Sequence, residues 1–224
     1  MSLLSAIPPK PGLFIVFEGI DRAGKTTQAK LLVANLQADL ASWQLSSIRF
    51  PDDRFASGKL LRQYLTSESQ MPARTAHLLF SANRWEAALR IQDYVLSGMT
   101  LVCDRYAYSG VAYSVAKGLP FDWCTASDRG LPVPDVVFYF SLPVESATAR
   151  ADFGVGDRHE TAELQERVKQ VYEEKLINRG TTWVTINATL PQDEIAEMIY
   201  KEVSTLRRSH VRSAALTGVG LFEE

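Results

Sequence analysis

Gly19-Ile20-Asp21-Arg22-Ala23-Gly24-Lys25-Thr26 follows the apolar run Leu13-Phe14-Ile15-Val16-Phe17 and precedes a segment of helical character. The octet fits G-x-x-x-x-G-K-[ST]. In that pattern two glycines let the backbone curl so that successive N–H groups face phosphate oxygens, reinforced by the positive end of the following helix. It implies that the chain binds a nucleoside triphosphate. Lys25 is expected to reach the β- and γ-phosphates, and Thr26 to offer its hydroxyl to a Mg2+ riding on them. Gly19, Ala23, Gly24 and Thr27 complete the expected ATP-binding loop. A glycine turn matching by chance is the alternative, and the strand–loop–helix setting disfavours it. The loop does not select a function, because kinases, switches and motor ATPases share it.

The chain of 224 residues is long enough for one well-filled α/β domain. Its 46% hydrophobic and 22% charged residues are those of an ordinary globule, and a formal net charge of −2 gives no basic field for a nucleic-acid backbone. Neither nucleic acid nor membrane is expected as a partner. Cys103 and Cys124, with His77, His159 and His210 scattered along the chain, make neither a disulfide framework nor a zinc ligand set. The cysteines read as reduced thiols of an intracellular protein. No apolar run approaches the length needed to cross a bilayer, and the first residues lack the features of a secretion signal, so the expected location is cytoplasmic.

Short apolar runs alternate with helical patterns, the signature of βαβ units and a parallel sheet covered on both faces. Strands are expected at Phe14–Glu18, Ser46–Phe50, Thr100–Cys103, Val136–Ser141 and Trp183–Asn187. Helices are expected at Lys25–Leu40, Gly58–Ser67, Ala73–Gly98 with a break, Gly110–Lys117, Pro143–Arg150, Ala162–Asn178 and Gln192–Arg207. The last carries Pro191 at its start, Asp193 and Glu194 at its positive dipole end, and Ile195, Met198, Ile199, Val203 and Leu206 on one face. The fold class is a P-loop NTPase-type three-layer α/β sandwich: a five-stranded parallel sheet flanked by helices, with a short lid. A lead over residues 1–12, one kinase-type domain over 13–206 and a tail over 207–224 follow. The tail loses periodicity and is expected to be a loosely ordered extension or a partner contact.

Ligands in such a sheet sit beyond the carboxyl ends of the strands. There stand the phosphate loop, Phe50-Pro51-Asp52-Asp53-Arg54, Asp104-Arg105-Tyr106 and Asn187-Ala188-Thr189. A carboxylate at Asp104 can hold Mg2+, and the planar fork of Arg105 can grip phosphate in a bidentate way. A surface ion pair at a strand end is the plain alternative. Residues 150–160, glycine-broken and charged between two helices, read as a mobile lid that excludes water and brings arginines in on closure, or as an ordinary solvated loop.

Three blocks carry a resemblance: Phe17-Glu18-Gly19-Ile20-Asp21-Arg22-Ala23-Gly24-Lys25-Thr26-Thr27-Gln28, Leu78-Leu79-Phe80-Ser81-Ala82-Asn83-Arg84-Trp85-Glu86, and Asp104-Arg105-Tyr106-Ala107-Tyr108-Ser109-Gly110-Val111-Ala112-Tyr113. Together they are similar to thymidylate kinases, the eukaryotic branch above all, in block order from Gly12 to Leu206. The resemblance implies transfer of the γ-phosphoryl of ATP to the 5′-phosphate of dTMP, with Mg2+, giving dTDP and ADP. The acceptor is already an anion with a second pKa of about 6, so no general base is required.

By matched position, Arg22 is expected on the transferred phosphoryl, Arg105 on the acceptor phosphate, Asp21 on the acceptor's 3′-hydroxyl and Asp104 behind the metal. Phe80 stacks on thymine and Arg84 donates to a base carbonyl. Phe50, Ser109, Gly110 and Gln165 join the acceptor site, and Tyr113 crowds the 2′ position. Arg150 lies over the adenine, Arg158 near the phosphates and Asn187 beside the adenine pocket. Without the resemblance Phe80 reads as core, as do Tyr106, Tyr108 and Tyr113. Three departures stand out. The family's Phe-Pro-x-Arg becomes Phe50-Pro51-Asp52-Asp53-Arg54, displacing by one residue Arg54, the arginine that by resemblance helps bind the acceptor phosphate. The lid is one residue longer than in animal enzymes, and His159 stands where a tyrosine is frequent. Members of the family are typically homodimers. The rival readings are a monophosphate kinase of other base preference, which the Phe80–Arg84 block opposes, and a GTP switch, which expects an Asn-Lys-x-Asp clamp that does not occur here.

Overall fold

Five all-parallel strands form the centre of the structure, a computed structural model that describes residues 11–150, 159, 161–177, 179–209 and 220–223. In chain order the elements are β1 (Phe14–Gly19), α1 (Lys25–Gln37), β2 (Leu45–Arg49), α2 (Ala56–Leu65), α3 (Ala73–Leu96), β3 (Thr100–Asp104), α4 (Ala107–Ala116), α5 (Phe121–Ala126), β4 (Val136–Ser141), α6 (Val144–Thr148), α7 (Ala162–Val171), β5 (Thr182–Asn187) and α8 (Gln192–Ser209). The strand order is β2-β3-β1-β4-β5. β1 and β3 are buried along their whole length, and β4 along all but its last residue. Their near-continuous apolar sequence is what a parallel sheet covered on both faces demands. Edge strands β2 and β5 carry Ser46, Ser47, Thr182 and Thr185 on their wetter sides.

Strand register sets the site. Phe17 pairs with Asp104, and Asp104 with Arg49, so the loop after β1, the Asp104-Arg105 corner and the end of β2 open on the same edge of the sheet.

Several expected boundaries are corrected. α3 runs unbroken for 24 residues, because no proline or glycine interrupts Ala73–Leu96 and such interruptions are what kink helices. α4 begins three residues before the expected Gly110. Its first N–H groups are satisfied from a distance: Glu18 accepts from the amides of Tyr106 (2.9 Å) and Ser109 (3.2 Å), a cap that local sequence cannot display. α7 ends at Val171 and continues as a single π-turn over Tyr172–Leu176, and α6 is only five residues long. α5 was not expected at all. Part of the tail is tied down, since Leu221 donates to the Leu131 carbonyl (2.8 Å) and accepts from Gly130 (3.2 Å), while Phe222 meets Tyr108 edge-on at 5.7 Å. The lead's first ten residues, Arg158 and most of the lid, and residues 210–219 lie outside the described residues. Among those described, no helix is long and apolar enough to cross a membrane.

Candidate active site

A cavity of about 610 Å³ opens at the carboxyl edge of the sheet, running from the phosphate loop to an aromatic end between α2, α3 and α4. At the loop, Gly24 takes φ +99° as the residue before α1, a conformation glycine supplies without Cβ cost. Two arginines do what only glycine does easily: Arg22 sits at φ +60° and Arg105 at φ +68°, and both line the cavity. Left-handed backbone at a non-glycine costs about 1–2 kcal/mol and persists where the surroundings hold it.

Lys25 is buried, its ammonium donating to the Ile20 carbonyl. Burial, and then the Arg105 guanidinium, push its pKa down to about 7, against the pull of Asp21, Asp104 and Glu18. Beside it, Asp21 accepts from Arg105, from the Tyr113 hydroxyl (2.8 Å) and from Gln165 Nε2 (2.6 Å). Burial opposes its ionisation, but Arg105, Lys25 and these hydrogen bonds outweigh it and hold the carboxyl below the usual carboxylate range. Such a carboxylate is a poor proton acceptor and a good orienting group. Arg105 is fixed further by the Gly19 carbonyl (3.1 Å), Ser109 Oγ (3.2 Å) and the Tyr113 ring (5.6 Å). Burial works against its charge, Asp21 more than restores it, and its pKa stands well above normal.

Asp104 presents one carboxylate oxygen to the Thr26 hydroxyl at 2.5 Å. Its other oxygen is buried with no hydrogen-bond partner among the described residues. An orphaned carboxylate oxygen next to the hydroxyl of the phosphate loop is a hard-oxygen donor set, which fits Mg2+.

At the far end Phe80 lines the cavity, edge-on to Tyr64 at 6.5 Å. Arg84 is 1% exposed yet also reaches the cavity wall. Asp128 takes its Nε (3.1 Å) and Nη2 (2.7 Å) in a bidentate pair. Gly110 is required here: a Cβ on it would lie 2.8 Å from Arg84 Nη2 and 2.9 Å from Nη1. Phe50 is buried on the wall, 5.7 Å from the Tyr106 ring. Tyr113 stacks on His159 at 5.4 Å, and Lys117 Nζ lies 2.5 Å from His159 Nε2.

The expected residues do not all meet. Arg54 does not line the cavity; its Nε and Nη2 close on Asp52 at 2.8 and 2.7 Å, with the side chain 55% exposed. Gln165 is fully buried and off the wall, where it joins Asp21 to the His159 carbonyl (2.8 Å) instead of facing a ligand. The Ser109 hydroxyl is given to Glu18 at 2.5 Å. Asn187 is exposed away from the cavity and accepts from the Thr189 hydroxyl at 2.7 Å, whereas its neighbour Ala188 accepts from Arg150, which also donates to the Arg22 carbonyl. Gly19 and Ala23 support the loop without lining the cavity, and Asp104 reaches it only through Thr26.

Some residues were missed. Arg49 closes β2 and lines the cavity, and its side chain has no hydrogen bond or ion pair among the described residues. Its signal was its place beside Phe50 at the carboxyl end of β2. Glu18, 0% exposed, gathers Ser109 and the Tyr172 hydroxyl (2.8 Å) and thereby anchors α4 behind Arg105. His77, Ser114 and Lys117 on the wall had no local signal.

Residues 17–199 match the family model described as thymidylate kinase. The thymidylate kinase of Dictyostelium discoideum is 44% identical over 214 residues, spanning 96% of this chain and 93% of that protein. The human thymidylate kinase is 38% identical over 210 residues, spanning 93% of this chain and 96% of its own. A solved structure of thymidylate kinase from Candida albicans superposes with a TM-score of 0.79 at 34% identity, covering 88% of this chain and 93% of the other.

Proposed function

The chain belongs to the thymidylate kinase family, which phosphorylates dTMP to dTDP at the expense of ATP, and we propose that its cavity does so by alignment and charge neutralisation, without a general base. The observation that carries this is the Asp21–Arg105 pair beside Lys25. It is a cation-rich corner whose only wall carboxylate among the described residues is held below the ordinary range and turned to orientation. Arg22 meets the charge spreading over the transferred phosphoryl, Lys25 the β- and γ-phosphates, and Arg105 the acceptor phosphate. Asp21 orients the acceptor sugar, with Gln165 holding Asp21 and Tyr113 crowding the 2′ position. Phe80 stacks on the base against Phe50 and Gly110, and the Arg84 nitrogen left over by Asp128 donates to a base carbonyl. Ser109 serves through Arg105. On the donor side Arg150 lies over the adenine between the phosphate loop and Ala188; Arg158 joins the phosphates on closure, and Asn187 shapes the turn behind the adenine.

Thr26 and Asp104 are the residues that would hold Mg2+. When bound it neutralises phosphate charge that the arginines would otherwise carry alone.

With Arg54 committed to Asp52, Arg49 offers the wall a guanidinium that has no side-chain partner among the described residues, and we assign it the acceptor-phosphate contact expected of Arg54. Arg49→Ala is expected to raise KM for dTMP about tenfold or more while Arg54→Ala changes it little; the reverse order contradicts the assignment. Formation of dTDP from dTMP and ATP, followed by phosphorus NMR, tests the reaction itself, and ATP turnover without dTDP would exclude it.

α3 leaves Leu78, Trp85, Leu89 and Leu96 exposed by 49%, 43%, 75% and 53%, a stripe at seven- and four-residue spacing. A second copy packed on this stripe would make a two-fold homodimer. Cys103 and Cys124 are unpaired and buried, the state a reducing compartment maintains, and support a cytoplasmic location.

A further inference from the structure

His77 is 1% exposed on α3 and borders the cavity two helical turns before Arg84. Its Nε2 faces the Cys124 carbonyl at 3.0 Å and Ser127 Oγ at 3.1 Å, and its Nδ1 faces Ser114 Oγ at 2.7 Å. Burial, and then the nearby Arg84 charge, lower its pKa, so the ring is neutral and carries one N–H. Two backbone carbonyls act on the ring, those of Cys124 and Gly110; the Cys124 carbonyl, at 3.0 Å from Nε2, places that hydrogen on Nε2 and leaves Nδ1 as an acceptor. Ser114 must then donate its hydroxyl hydrogen to His77, and its oxygen offers only lone pairs to the cavity it lines.

Ser114 stands one turn after Gly110 on the same face of α4, and Gly110 is the residue packed against the Arg84 guanidinium. The wall therefore presents a fixed donor, Arg84, and a fixed acceptor, Ser114. Both are set from behind by the α5 turn, through Asp128 on Arg84 and through Cys124 and Ser127 on His77. We propose that His77 is a positioning residue for base specificity: by holding the Ser114 hydroxyl it makes the wall read a carbonyl next to a ring N–H. Thymine and uracil present that pair, and cytosine, with an amino group next to a bare ring nitrogen, presents its inverse. The proposal rests on the dTMP reading above and deepens it.

The test compares kcat/KM for dTMP with that for dCMP in wild type, His77→Phe, His77→Asn and Ser114→Ala. His77→Phe frees the Ser114 hydroxyl to turn and donate, and the dTMP-over-dCMP ratio is expected to fall about tenfold or more. The loss should come through KM, with kcat at saturating dTMP within a few-fold of wild type. His77→Asn returns an oxygen near the place of Nδ1 and is expected to recover most of the ratio, which a merely structural role would not require. Ser114→Ala, a small change at the cavity wall, should lower the ratio as well and keeps the test available if His77→Phe does not fold. An unchanged ratio in a folded His77→Phe or in Ser114→Ala would overturn the proposal. A wild-type enzyme that does not turn over dTMP would instead defeat the dTMP reading on which it rests.

Discussion

Arg22 and Arg105 hold left-handed backbone at two corners of the cavity, and in the proposed reaction their side chains are the guanidiniums that flank the path of the phosphoryl group. The strain is consistent with positions selected for where they aim a charge. Arg22→Gly relieves the backbone but removes the charge, so we predict a fall in kcat of about 10³-fold with a much smaller change in KM for dTMP, read by steady-state kinetics. Lys25 gives a second prediction. Its pKa of about 7 in the free protein must rise when a triphosphate arrives, because the anion favours the charged ammonium. Binding of ATP should therefore take up close to one proton at pH 8, where free Lys25 is mostly neutral, and almost none on this residue at pH 6. Calorimetry in two buffers of different ionisation enthalpy measures this, and a buffer-independent heat at pH 8 would contradict it. The loop and the Asp104-Arg105 corner were legible because their chemistry lies in consecutive residues. Arg54 turns from the cavity because its partner, Asp52, is drawn into a buried site by the side-chain oxygen of Asn83 (2.7 Å to the Asp52 amide), a contact 31 residues away in sequence.

Among the elements, α4 supplies the most cavity wall for its length. Arg105 lies just before it, and Ser109, Gly110, Tyr113 and Ser114 line the cavity along its exposed side. Its first turn is held by Glu18 on β1, which accepts two backbone amides and the hydroxyls of Ser109 and Tyr172. Glu18→Ala leaves those buried donors without a partner, and we predict a loss of about 3 kcal/mol in denaturant unfolding. Gly110→Ala drives a methyl group into the Arg84 guanidinium and is expected to raise KM for dTMP several-fold with little effect on the fold. Strands β1, β3 and β4 could be read from sequence because buried parallel strands are continuous apolar runs. α5 could not, since six residues make less than two turns and show no period. The early start of α4 was hidden for a different reason: its cap comes from another strand.

At the scale of the whole molecule, the strand order places the triphosphate loop, the Asp104-Arg105 corner and Arg49 on one edge, while α3 lines the cavity with Phe80 and Arg84 on one face and leaves an apolar stripe exposed on another. Leu89, 75% exposed, is the most exposed member of that stripe, and Leu89→Glu is expected to convert a homodimer to monomer in sedimentation velocity while sparing the fold. A wild type that sediments as a monomer would remove the dimer from the proposal. The alternation of strands and helices made the doubly covered sheet readable in advance. The docking of Leu221 and Phe222 was not, because a four-residue contact made by a chain end has no pattern to show. The most direct measurement is ADP formation from ATP and Mg2+ with dTMP, dUMP, dCMP, dGMP, AMP and no acceptor. We predict turnover that depends on acceptor and is greatest with dTMP. Turnover indifferent to acceptor, or greatest with a purine monophosphate, would contradict a cavity built to read thymine.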